Sequence, residues 1–302
     1  NCPTNPPSNT GNPFCGSGPA GVNLEQLVVA PTIAYRFTKD QAIGFSPLLT
    51  YQRFEAQGLQ LFGQFGFSRD ASKLTNNGTS SSRGLGYRLG YLGRFGDLRI
   101  GASYSPKLDM TEFDKYEGLF AEQGDFDIPE NYGVGFAYQA TPKLLIGIDV
   151  TKVEYSKVPS VGNPSGTAGA FCANPLLSQG RCLGDDNGPG FGWNDVTTKK
   201  IGFEYAATEK LTVRAGYNKG DNPIEPQDVT FNILAPGVIE EHYTVGATYT
   251  LSETGEVSFH YMRAPSTSVS GNSAFAAFSA GTPRETIDMD QQSLSLSFGL
   301  SY

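Results

Sequence analysis

In the last twelve residues, QQSLSLSFGLSY, two kinds of side chain alternate strictly from Ser293 onward. Serine or glycine fills one parity from position 293 onward, and the other parity is apolar. Successive side chains of a β-strand point to opposite faces, so this pattern predicts a strand with one apolar face and one small polar face. A soluble sheet and a membrane barrel both use such strands. The apolar positions are Leu294, Leu296, Phe298, Leu300 and Tyr302.

The same period of two recurs along the chain, in segments such as RGLGYRLGYLG, ENYGVGFAYQA, KKIGFEYA, KLTVRAGYNKG and HYTVGATYTL. We expect about eleven strands, each close to the roughly 9–11 residues that a tilted strand needs to cross a bilayer. The second face of these strands carries mainly Gly, Ser, Thr and Ala. A soluble sandwich would place long polar side chains there, whereas a barrel interior has little space. The pattern therefore favours an all-β fold, a transmembrane antiparallel β-barrel. Further strands are expected to begin near Val28, Ala42, Leu98, Leu144 and Val257.

The connections between these strands alternate in length. FTKD, FGD, ATPK, ATEK and LSETGE are tight turns, and long polar stretches lie between them. Outer-membrane barrels have short periplasmic turns and long extracellular loops in this order. We therefore expect one barrel domain over 1–302, with extracellular loops at 1–22, 55–82, 111–128, 157–196, 219–239 and 264–290.

Composition excludes several other classes of protein. No run approaches the roughly 18 apolar residues of a transmembrane helix. The net charge of −8 and the lack of a basic cluster argue against a nucleic-acid partner.

Cysteines occur as two close pairs, which favours local disulfides; a metal site is the alternative, although no histidine lies near them. We expect no metal and no cofactor. The pairs are Cys2 with Cys15 and Cys172 with Cys182.

The ordered set of segments resembles the FadL/OmpP1 outer-membrane transporters. The segments include APTIAYRFTKDQAIGFSPLLTYQRFEAQG (30–58), DFDIPENYGVGFAYQATPKLLIGIDVTKVEYS (125–156) and HYTVGATYTLSETGEVSFHYMRA (242–264). The resemblance implies a fourteen-stranded barrel plugged by an N-terminal hatch. The hatch and the first three strands would then be absent from this chain. It also implies passive uptake of long-chain fatty acids or hydrocarbons through the outer membrane.

Two loops carry unusual numbers of apolar side chains. The stretch GLQLFGQFGF opens the loop at 55–82, and further aromatic residues follow in the loop at 111–128. Exposed apolar patches mark binding sites, so these side chains are candidate ligand contacts. The alternative is that they pack the two loops against each other, and both can hold. The candidates are Leu59, Leu61, Phe62, Phe65, Phe67, Phe113, Tyr116, Leu119 and Phe120.

A fatty acid would also need a cation for its carboxylate. Arg53 and Lys157 are candidates, with Arg69 and Lys73 nearby in sequence. A hydrocarbon ligand would need none. Each of these residues could instead be an ordinary solvated or paired charge.

No catalytic constellation is recognisable: GxSxG, HExxH and the P-loop are all missing. We therefore expect a transporter, not an enzyme. A general diffusion porin is the main alternative, and an outer-membrane hydrolase or a soluble β-protein is less favoured. The expected partners are an apolar small molecule, the lipid bilayer and lipopolysaccharide, and the expected state is a monomer.

Overall fold

The computed structural model describes residues 12–14, 16, 18–166, 172, 180–274 and 283–300. Cys2, Cys15 and Tyr302 lie outside the described residues. Twelve strands form one antiparallel sheet. They are β1 (Gly21–Val29), β2 (Ile33–Thr38), β3 (Gln41–Gln57), β4 (Ser80–Phe95), β5 (Leu98–Ser105), β6 (Asn131–Thr141), β7 (Leu144–Val153), β8 (Val196–Ala206), β9 (Leu211–Gly220), β10 (Glu241–Thr250), β11 (Gly255–Asn272) and β12 (Arg284–Leu300).

The described helices are single turns in the long connections. None of them is long and apolar enough to cross a membrane. The α-helical turns are α1 (Gln60–Gln64), α2 (Ala121–Gly124), α3 (Pro159–Gly162) and α4 (Val229–Asn232), and 3₁₀ turns occur at Ala71–Lys73, Tyr155–Lys157 and Pro226–Asp228.

From β3 onward, each strand pairs with the next strand in sequence, and β1 and β2 both pair with β3. The β1 register against β3 ends at Val29 opposite Leu49, and the β2 register resumes at Ile33 opposite Phe45. The same register therefore runs through the gap, where Pro31 faces Pro47. Proline has no N–H to donate to a ladder, so the strand is interrupted there. With β1 and β2 as one interrupted strand, the sheet has eleven positions, the number expected from the alternation.

The tight turns lie where the sequence places them, between β2 and β3, β4 and β5, β6 and β7, β8 and β9, and β10 and β11. All long connections are therefore at the opposite end of the sheet. The expected loop at 264–290 is wrong in extent, because β11 continues to Asn272 and β12 begins at Arg284. The ladder shifts register between Ala264 and Thr267, and this irregularity accommodates Pro265 within β11.

The two faces of the sheet differ as the alternation predicts. On β12, Leu294, Leu296 and Phe298 are 71, 76 and 63% exposed. They lie opposite Tyr261, Phe259 and Val257 of β11, so the apolar band continues across strands. No described element covers this outward face. The long connections fold over the other face, which we call the inner face.

Candidate functional site

The largest group of packed side chains lies where the long connections meet the inner face of β3. It combines residues of β3 with residues of the 58–79 and 106–130 connections and with single residues from three distant segments. We call this group the loop cluster. Its buried members are Phe14, Phe54, Ala56, Leu59, Leu61, Phe62, Phe67, Leu74, Phe113, Tyr116, Phe120, Leu183 and Phe231.

Phe54 joins the sheet to the 106–130 connection. Its ring centroid lies 4.8 Å from that of Tyr116 and 4.7 Å from that of Phe120, both in edge-on geometry. Phe113 lies 5.6 Å away. Aromatic pairs at these spacings add about 0.5–1.5 kcal/mol each beyond area burial. The Tyr116 hydroxyl also accepts a hydrogen bond from the Ala56 amide at 3.0 Å, so this ring is held to β3 by a polar contact as well.

At Gly118, the backbones of the 58–79 and 106–130 connections come into close contact. The Ser68 hydroxyl donates to its carbonyl oxygen at 2.6 Å, and its amide donates to the Lys73 carbonyl at 3.0 Å. A Cβ at this position would lie 1.9 Å from the Asp70 carbonyl oxygen. Only glycine therefore allows the two backbones to come this close.

The predicted ligand contacts all belong to the loop cluster. Phe65 and Leu119 are half-buried at its margin, together with Phe126. The others are buried and pack the two loops against each other. The structure thus shows the packing alternative for most of these residues, and among the candidates it leaves apolar surface exposed only on Phe65 and Leu119. The buried ones are Leu59, Leu61, Phe62, Phe67, Phe113, Tyr116 and Phe120.

Each candidate cation has a carboxylate partner. Arg53 also lies on the outward face of β3, because Phe54 next to it lies on the inner face. A ligand carboxylate would have to displace an existing carboxylate at any of these positions. Lys157 additionally contacts Glu154. The pairs are Arg53–Glu25 at 3.2 Å, Lys157–Glu130 at 3.2 Å, Arg69–Asp185 at 3.6 Å and Lys73–Glu117 at 2.7 Å.

Carboxyl groups crowd together in the 106–130 connection. The Asp127 carboxylate accepts a hydrogen bond from the Met110 amide at 2.7 Å and pairs with the Lys107 ammonium. Burial, and then the charge of Asp127, raises the pKa of Asp125 to about 8. Asp125 therefore carries a proton at neutral pH, which places a pH-sensitive group beside the loop cluster.

We expect the free energy of opening of the 106–130 connection to fall as pH rises from about 4 to about 8. The opened connection ionises Asp125 near its ordinary pKa of 3.8, whereas the folded form keeps the proton until about pH 8. Hydrogen exchange of the Phe113–Phe120 amides, corrected for intrinsic rates, measures this slope. Asp125→Asn should flatten it, and Asp114→Asn, on the exposed surface of the same connection, should not. An unchanged slope in Asp125→Asn would contradict the assignment.

The inner face of β7–β11 lines a recess of about 780 Å³. Arg214 Nε donates to Glu204 at 2.7 Å, and the same guanidinium donates to the Thr248 hydroxyl at 2.8 Å. Asp149 lies directly opposite Lys200. The charged side chains that line this recess therefore lie opposite side chains of the opposite charge.

The inner face near the tight turns is cationic. Arg94 lies directly opposite Arg99, and Arg36 lines the same recess of about 100 Å³. Within the described part of the chain, no salt bridge involves these three arginines. Like charges opposite each other destabilise a strand pair. This end of the inner face therefore favours an anion over a cation.

Sequence reasoning did not identify six buried members of the loop cluster: Phe14, Phe54, Ala56, Leu74, Leu183 and Phe231. Phe54 and Ala56 alternate like other strand residues, and no local periodicity marks the other four. It did identify the Cys172–Cys182 disulfide, which the structure contains. This disulfide lies next to Leu183, so it anchors the segment that supplies that side chain.

Comparison with solved structures gives several similar folds. The toluene transporter TodX of Pseudomonas putida is 16% identical, with a TM-score of 0.56 over 93% of this chain and 70% of that chain. A FadL homologue of Pseudomonas aeruginosa is 14% identical, with a TM-score of 0.59 over 92% and 68%. The monoaromatic hydrocarbon channel CymD is 14% identical, with a TM-score of 0.51 over 95% and 77%. At these identities the similarity establishes only the fold, which is that of an outer-membrane β-barrel.

Comparison with curated protein sequences gave no match. The family model for outer membrane transport proteins (OMPP1/FadL/TodX) matches residues 10–302. It confirms the resemblance drawn from the ordered segments, and it assigns the chain to a group of transport proteins and not of enzymes. Because the match covers almost the whole sequence, the chain belongs to the OMPP1/FadL/TodX family of outer-membrane transport proteins.

Proposed function

We propose that this protein carries uncharged hydrophobic molecules passively across the outer membrane and collects them at the margin of the loop cluster. The observation that carries the proposal is the loop cluster itself, an apolar group in connections that are otherwise polar. Its half-buried members, Phe65, Leu119 and Phe126, offer apolar surface to a ligand. In this proposal the long connections face the medium and the tight turns face the periplasm.

Two further observations support an uncharged ligand. The candidate cations are already paired with carboxylates. Among the structural relatives, TodX is a toluene transporter and CymD is a monoaromatic hydrocarbon channel. Hydrocarbons and the neutral forms of fatty acids both fit these observations. The plug implied by the family resemblance stays a prediction.

The test is displacement of a fluorescent long-chain fatty acid from the protein in detergent, with toluene, hexadecane, oleate and glucose as competitors. At least one apolar class should displace the probe, and glucose should not. Phe65→Ala should weaken binding about fivefold, the equivalent of roughly 1 kcal/mol of lost apolar contact. The matched control is Phe203→Ala, on the outward face of β8, which should bind as the wild type does. Failure of every apolar competitor would overturn the proposal.

A diffusion porin with anion preference is the second candidate. Arg36, Arg94 and Arg99 near the tight turns, which form no salt bridge within the described residues, favour it. An open porin would conduct steadily in planar bilayers, with more current carried by chloride than by potassium. A hydrophobic transporter would show little conductance and saturable binding of apolar compounds.

A further inference from the structure

The inner face of β3 changes character along the strand. Residues at alternate positions run Leu48, Thr50, Gln52, Phe54 and Ala56, and all of them are buried. The two polar members lie between apolar neighbours. Gln52 is wholly buried, with 0% of its surface exposed, and Thr50 is 5% exposed. A full amide side chain is therefore removed from water in the middle of this row.

A third polar side chain meets this pair from the adjacent strand. Ser82 of β4 is 1% exposed and lies directly opposite Gln52. Side chains opposite each other on one face come within about 5 Å at their Cβ atoms. We call Thr50, Gln52 and Ser82 the polar triad.

The polar atoms of this triad have no hydrogen-bond partner among the described residues. They are the Thr50 and Ser82 hydroxyl oxygens and both the oxygen and the nitrogen of the Gln52 amide. Native proteins pair the great majority of such buried groups, because an unpaired one loses its bonds to water without compensation. Four unpaired atoms on two adjacent strands therefore point to a partner that brings its own donor and acceptor.

The surroundings of the triad indicate what that partner looks like. Toward the long connections, Phe54 belongs to the loop cluster. In the other direction along β3, Leu48 packs with Leu108 and Met110 in a second apolar cluster. The polar triad thus lies between two apolar clusters on the inner face of the sheet. This arrangement suits a molecule with a long or aromatic apolar body and one small polar group.

The polar group should be uncharged. None of the three side chains carries a charge. The cations next to them in sequence, Arg53 and Arg83, lie on the outward face, where Arg53 pairs with Glu25 at 3.2 Å and Arg83 lies over the Tyr51 ring. A buried carboxylate without a cation would be strongly disfavoured. Amide and hydroxyl groups match a ligand group that both donates and accepts.

We propose that the polar triad binds the neutral hydrogen-bonding head group of an otherwise apolar ligand: an alcohol, a primary amide or a protonated carboxylic acid. The proposal rests on the proposed function and narrows it, because it separates ligands with a head group from plain hydrocarbons. The half-buried margin of the loop cluster takes the apolar body, and the triad selects for the head group.

The test compares decan-1-ol with decane as competitors for a bound fluorescent fatty acid, in one detergent, with wild-type and Gln52→Leu protein. For one ligand, the ratio of affinities between two proteins does not depend on partition into micelles. We expect Gln52→Leu to weaken decan-1-ol about five- to tenfold, the scale of one lost neutral hydrogen bond, and to change decane less than twofold. Gln292→Leu is the matched control, since Gln292 is exposed on the outward face of β12, away from the polar triad. It should change neither ligand.

The outcomes separate this proposal from the proposed function. If neither compound displaces the probe from wild type, the proposed function fails. If both bind and Gln52→Leu weakens them equally or not at all, the triad has a structural role only and the present proposal fails. Should Gln52→Leu not fold, as judged by far-ultraviolet circular dichroism, the Thr50→Val/Ser82→Ala variant replaces it. That variant removes two hydroxyl groups at small changes in volume, and the same selective loss of decan-1-ol is required.

Discussion

Replacing Phe54 with alanine is expected to destabilise the folded arrangement of the loops by about 3–5 kcal/mol. Its ring contacts Phe113, Tyr116 and Phe120 at 4.7–5.6 Å between centroids, so the substitution removes the centre of the loop cluster. The strands keep their hydrogen-bonded ladders because those bonds do not involve the side chain. Trypsin should therefore cut the 58–79 and 106–130 connections rapidly in the variant, while the sheet stays resistant.

Phe45→Ala is the control for this experiment. Phe45 belongs to the same strand but lies on the outward face, where it is 47% exposed to the surroundings of the barrel. Its loss should leave loop cleavage at the wild-type rate. Equal protection of the loops in Phe54→Ala and wild type would show that the cluster does not hold the connections in place.

Gly118→Ala should have a comparable effect from a single added methyl group. The new carbon would lie 1.9 Å from the Asp70 carbonyl oxygen and 2.8 Å from the Ser68 hydroxyl, so one backbone must move. Overpacking of this kind costs about 1–3 kcal/mol, and more where the obstacle is backbone. The near-ultraviolet circular dichroism of the packed aromatic rings should lose its thermal transition or shift it to lower temperature, whereas the far-ultraviolet signal of the strands should not change.

Gly147→Ala tests whether any added methyl group would do the same. Gly147 lies on β7 and lines the recess of the inner face, and a Cβ there meets nothing within 4 Å. Gly147→Ala should keep the wild-type thermal transition in the near-ultraviolet signal and the wild-type far-ultraviolet signal of the strands. An aromatic transition that is equally perturbed in both variants would refute the close approach at Gly118.

The strands and turns could be predicted because their signals are local. Alternation with period two sets which face a residue occupies, and each strand from β3 onward pairs with its neighbour in sequence, so the topology follows from order alone. The loop at 264–290 was predicted too long because this stretch is polar, and the local signal did not show that β11 and β12 extend into it. A register shift in the ladder accommodates Pro265 within β11.

The site was less predictable because it depends on contacts between distant segments. Phe62 and Phe113 stood out in their loops, yet the sequence did not show that both would be buried. Phe231 belongs to a connection far along the chain, and its ring centroid lies 5.4 Å from that of Phe62. The burial of Gln52 was equally hidden, since its strand alternates like every other strand.

The pairing of neighbours in sequence also sets an order of assembly. Each hairpin closes over a tight turn or one connection, so the sheet can grow strand by strand at a small entropic cost for each step. The loop cluster needs residues as distant as Phe14 and Phe231 to be in place together. It therefore forms after the strands that carry its members, so we expect closing of the loops to be a late step in folding.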